Sequence, residues 1–159
     1  MKYFTLIFFI MILLGINAFS QDGGLQKYDN LQKFKNINYD QIDKRITRSI
    51  EDFFNLLVKK DIRTAFDNIL KNSVIALRRE EVDNLKKQTQ RSIDIYGDIL
   101  TSEFVSAELV TDSYIRLRYL ALHSSYPMRW IFTFYRSPDK NWIVTNIKFD
   151  DLSEYFFSD

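Results

Sequence analysis

The chain has 159 residues, with 22 basic and 21 acidic side chains, one histidine and no cysteine. This excludes disulfide frameworks, cysteine-ligated zinc, thiol catalysis and lipid attachment through cysteine. The balanced charge argues against a nucleic-acid binder, while 46% hydrophobic and 16% aromatic residues give enough material for one packed domain.

Residues 1–20 have the three parts of a secretory signal peptide: a single charge at Lys2, an apolar run from Leu6 to Leu14, and small residues at Ala18 and Ser20. The run is shorter than the roughly 18 to 20 residues a spanning helix needs. The expectation is therefore export to a periplasmic or secreted location, with no membrane span after cleavage; the alternative is an uncleaved membrane anchor. Without those residues the chain is 139 long, with 21 basic and 21 acidic side chains and no net charge. Residues 21–39 are polar, contain Gly23 and Gly24, and read as a flexible leader with a short helical piece at 31–34. The domain proper is expected over 40–159.

Ile42, Ile46, Ile50, Phe53, Phe54, Leu57 and Val58 recur at three- and four-residue intervals, which predicts an amphipathic helix over 41–60 with Asp40 as N-cap. Asp61 is expected to cap a second, shorter helix carrying Ile62, Ala65, Phe66, Ile69 and Leu70. The apolar run at 73–77 reads as a brief strand. A third helix is predicted over 79–96, ending at Gly97, where glycine accepts the left-handed conformation without a Cβ clash.

After Gly97 the period falls to 2. Segments 103–110, 114–123, 128–136 and 141–149 are rich in β-branched and aromatic residues, with short turn-forming links between them. That predicts a four-stranded antiparallel meander with the helices on one face, an α+β domain. Residues 150–159 read as either a short helix or a strand edge over the core.

Three segments carry a family resemblance: DFFNLLVKKDIRTAFDNIL (Asp52 to Leu70), IDIYGDI (Ile93 to Ile99) and MRWIFTFYRSPDKNWIVTNIKFDD (Met128 to Asp151). Together with the element order, they resemble exported bacterial members, of unknown function, of the nuclear transport factor 2-like superfamily. The resemblance implies a cone in which a curved sheet wraps the helices around a cavity. The superfamily includes ketosteroid isomerase, scytalone dehydratase and polyketide cyclases beside many non-catalytic binding or assembly domains, so membership does not decide function.

An isomerase-like site needs a carboxylate base and a hydroxyl or acid to hold the enolate oxygen. Along the predicted strands Glu103 and Glu108 are the only carboxylates, and neither lies in such a pattern. A non-catalytic protein is expected. The alternatives are a cavity enzyme and a structural module that dimerises through its sheet. His123 shares the apolar strand face with Ile115, Leu117, Tyr119 and Ala121. It reads either as a cavity-lining proton carrier or as a strand-end histidine bonded to the Ser124-Ser125 turn. Arg116 and Arg118 on the other face read as an anion clamp or as a solvated face pairing with carboxylates. Trp130, Phe132 and Phe134 on one strand, and Trp142 and Val144 on the next, read as core or as pocket lining.

The candidate pocket residues are Tyr119, His123, Trp130, Phe132 and Trp142, facing a small apolar ligand or a protein partner. A lone histidine without cysteine gives no expectation of a metal or cofactor. The basic pairs Lys59-Lys60, Arg78-Arg79 and Lys86-Lys87 are interrupted by acids, so no nucleic-acid partner is expected.

Overall fold

The structure, a computed structural model, describes residues 34–157; the expected signal peptide, residues 21–33 of the expected leader and residues 158–159 lie outside these. Three α-helices, α1 (Lys44–Val58), α2 (Ile62–Ile69) and α3 (Arg79–Tyr96), accompany five strands. The strands are β1 (Lys35–Ile37), β2 (Ile99–Thr111), β3 (Tyr114–His123), β4 (Pro127–Ser137) and β5 (Asn141–Asp150). They form one open antiparallel sheet in the order β1-β2-β3-β4-β5. The class is α+β, as the change of period implied.

The sheet has five strands rather than the expected four. β1 pairs Lys35, Asn36 and Ile37 with Leu109, Glu108 and Ala107, inside the stretch read as leader. At three residues it is too short to show an alternation, so no periodicity announces it.

Helix α1 starts later than expected. Asp40 lies in a 3-10 turn (Tyr39–Gln41), and Ile42 is extended, so the cap is Asp43, whose carboxylate accepts the Arg45 N–H at 2.9 Å. Ile46, Ile50, Phe53, Phe54 and Leu57 form its buried stripe, as the spacing required. Asp61 caps α2 by accepting from the Thr64 N–H at 3.1 Å.

The apolar run after α2 is a 3-10 turn (Val74–Leu77), not a strand. Ser73 explains the difference. Its hydroxyl accepts from the Ile75 N–H at 3.0 Å and donates to the Val144 carbonyl at 2.6 Å. A side chain therefore ties the segment to β5, and only Ile75 of the turn is buried.

Gly97 ends α3 at φ +85°, where a Cβ would lie 2.4 Å from the Ser124 hydroxyl. The close approach lets the β3–β4 turn staple the helix end, with Ser124 N–H donating to Asp98 and Ser125 N–H to Tyr96. The C-terminal stretch is a 3-10 turn over Ser153–Phe157.

β2 exceeds β3 in length because it is bulged at Leu100, Val105 and Val110, once every five residues. Each bulge bends the strand and raises its twist. β5 is bulged at Thr145, whose hydroxyl donates to the Thr133 carbonyl.

Candidate functional site

The five candidate pocket residues do not share a pocket. Tyr119 and Trp130 are direct cross-strand partners, and Phe132 pairs with Leu117 beside them. These three form the middle of the sheet's buried face. His123 lies at one end of that face, and Trp142 lies at the other, where the β2–β3 and β4–β5 hairpins meet. Period 2 assigns a face but not a position along it.

The middle is packed shut by rings. Phe53 of α1 meets Phe66, Trp130 and Phe132 edge-on at 5.2–5.6 Å between centroids, and Phe54 meets Tyr119, Trp130 and Phe132 at 5.7–5.9 Å. Phe149 stacks on Trp130 at 4.2 Å. Phe53, Phe66, Trp130 and Phe132 are each at most 1% exposed. Such edge and stacked contacts add to the burial free energy and leave no room for a guest.

Three polar atoms of the sheet's buried face have no hydrogen-bond partner among the described residues: the Tyr119 hydroxyl and Trp130 Nε1 in the middle and His123 Nε2 at the end. Burial pushes the Tyr119 phenol well above its ordinary value, with Tyr39 and Glu51 adding to the shift. Tyr39, in the 3-10 turn before α1, donates its own hydroxyl to Glu51 at 2.5 Å. Glu51 is exposed on α1, so this carboxylate is not a sheltered base.

His123 bonds not to the serine turn after it but, through Nδ1 at 2.8 Å, to the Gly97 carbonyl. Since a carbonyl only accepts, Nδ1 carries the proton and Nε2 is the bare nitrogen. Burial lowers the imidazole pKa, and the Gly97 bond opposes that in part. On the other sheet face Arg116 and Arg118 both pair with Glu108, and Arg129 chelates Asp150 through two bonds at 2.8 and 3.0 Å. Their charges are engaged within the sheet, so the anion clamp is not formed.

Trp142 occupies different surroundings. It borders a cleft of about 440 Å³ whose apolar wall is Ile37, Ile42, Ile46, Leu109 and Ile115. Gln41, Asp43, Asp112 and Arg136 supply the polar lining. Asp43 anchors this end. Its Oδ2 accepts the Trp142 indole N–H at 2.9 Å, and its two oxygens take the Arg45 guanidinium at 2.6 and 3.0 Å. Arg45 also donates to the Asn141 side chain at 2.9 Å. The Arg45 bonds, then the Trp142 bond, hold the Asp43 carboxyl far below the usual carboxylate range, although partial burial opposes them. The Arg136 guanidinium lies 5.5 Å above the Trp142 ring.

Of the five candidate residues only Trp142 borders this cleft. Ile37 and Gln41 lie in or next to the stretch expected as leader, and Asp43 follows Asp40, the stronger cap by sequence pattern. The Asp43, Arg45 pair two residues apart was the available signal. Among the described residues, no group of three or more His, Asp or Glu side chains is placed to hold a metal ion. Among them also, no helix is long and apolar enough to cross a membrane. No family model, curated protein or solved structure matches the chain.

Proposed function

We propose that the protein is an exported, non-catalytic binding domain of the nuclear transport factor 2-like kind, which takes an apolar group of a ligand or partner into the cleft beside Trp142. The observation that carries this reading is the contrast in packing. The layer where that superfamily's cavity would lie is filled by interlocked rings, whereas the hairpin end keeps an apolar-walled hollow with fixed polar groups at its edge. Its size is within the roughly 300–1,000 Å³ of small-molecule sites. The superfamily assignment and the cone shape rest on the element order, the three quoted segments and the regular bulges of β2, which curve a sheet towards its helices.

The test is a fluorescence titration of the full chain with decanoate, which offers an apolar chain to the apolar wall and a carboxylate to Arg136. A saturable change in tryptophan emission is expected, and calorimetric titration, which does not depend on the indole, is expected to find binding lost in Trp142→Phe and weakened in Leu109→Glu. Binding that survives both substitutions sinks the proposal. The enzyme alternative has one observation in its favour, the Tyr39–Glu51 bond beside the sealed Tyr119 hydroxyl. The exposure of Glu51 counts against it.

A further inference from the structure

A second hollow, also about 440 Å³, opens between α1 and α2 and is separate from the Trp142 cleft in its lining. Its α1 wall is a single stripe, Arg45, Arg48, Ser49 and Asp52, spaced three and four apart. Asn68 and Lys71 face it from α2 and the turn beyond, over a base of Phe53, Ala65 and Ile69.

The charges in this hollow are unequal in their engagement. Arg45 is held by Asp43 and Asn141. Arg48 and Asp52 stand four residues apart, a spacing at which opposite charges can pair, but no ion pair joins them. The base precedes the acid here, which is the weaker orientation on a helix. Neither residue has another ion-pair partner among the described residues, nor has Lys71, and all three are exposed.

From this unclosed pair we infer that the hollow binds a small zwitterion of the α-amino-acid kind. Arg48 and Lys71 take its carboxylate, Asp52 takes its ammonium, and the side chain rests towards Phe53 and Ile69. Guanidinium and carboxylate present geometrically matched forks, so Arg48 is the primary anchor. A simple anion meets repulsion from Asp52, and a simple cation meets it from Arg48 and Lys71. A ligand carrying both charges on adjacent carbons satisfies each. This site is independent of the Trp142 cleft and goes beyond the function proposed above.

The experiment is an NMR titration of the 15N-labelled full chain with three probes: L-leucine, N-acetyl-L-leucine without the cation, and L-leucine methyl ester without the free carboxylate. Leucine is expected to shift the amides of residues 48–52 and 68–71 saturably, with each derivative at least about tenfold weaker, the loss that follows when one charge-assisted contact is removed. Asp52→Asn is expected to bring leucine down to the level of its N-acetyl derivative, and Arg48→Gln to abolish binding of both. These side chains are exposed, so an unchanged thermal midpoint accompanies the loss. The proposal is overturned by the absence of saturable shifts up to about 10 mM leucine. It is equally overturned if either derivative binds as well as leucine does.

Discussion

The two tryptophans of the chain occupy opposite environments on the same face of one sheet. Trp130 is fully buried, stacked on Phe149, with an indole N–H that finds no acceptor among the described residues. Trp142 is half-buried, gives its N–H to Asp43 and carries Arg136 over its ring. One contributes area and shape to a closed core; the other is oriented by a charged partner beside a hollow. Burial and hydrogen bonding both separate the two: Trp130 is sealed without an acceptor among the described residues, whereas Trp142 stays accessible and is oriented by Asp43.

The contrast can be broken most severely at the core. Trp130→Ala is expected to lower unfolding free energy by about 3–5 kcal/mol, since it empties a site surrounded by rings that cannot collapse. Equal destabilisation by Trp142→Ala in urea unfolding would erase the distinction. Asp43→Ala is expected to cost about 1–2 kcal/mol through loss of the helix cap. Asp43→Asn should recover most of the cap, but not the ion pair with Arg45 that holds the carboxyl ionised.

A pH scan separates the two ends further. Because burial depresses the His123 imidazole, the unfolded chain binds its proton first as the pH falls. The stabilisation is complete above the ordinary histidine value of about 6.5 and is lost as the pH drops through the lower folded value. The thermal midpoint should therefore decline as the pH falls below neutrality, and His123→Gln should flatten that slope. Asp43 acts in a lower window, with its contribution complete above the ordinary aspartate value of about 4 and lost only under strong acid. The smallest effect is Trp142→Phe, expected to change stability by no more than about 1 kcal/mol while removing decanoate binding.

Much of the fold could be read from the residues because its helices and strands are long and strongly periodic. Ile46, Ile50, Phe53 and Leu57 leave little choice but a helix, and the alternation from Ile115 to His123 matches the buried face of β3. What was not legible depends on partners distant in sequence. Ser73 turns an apolar run into a 3-10 turn by bonding to Val144, and β1 exists because β2 offers it an edge. The candidate pocket dispersed for a related reason. Alternation places Tyr119, His123, Trp130 and Phe132 on the buried face, but whether that face is hollow is decided by Phe53 and Phe54 on the opposing helix.

The most direct test follows the two indole N–H resonances of the full chain, one from each tryptophan, during titration with decanoate. The account predicts that the Trp142 signal shifts saturably while the Trp130 signal stays in place and exchanges slowly with solvent deuterium. A saturable shift of the Trp130 signal, with Trp142 unmoved, would show a guest inside the ring-filled layer and contradict it.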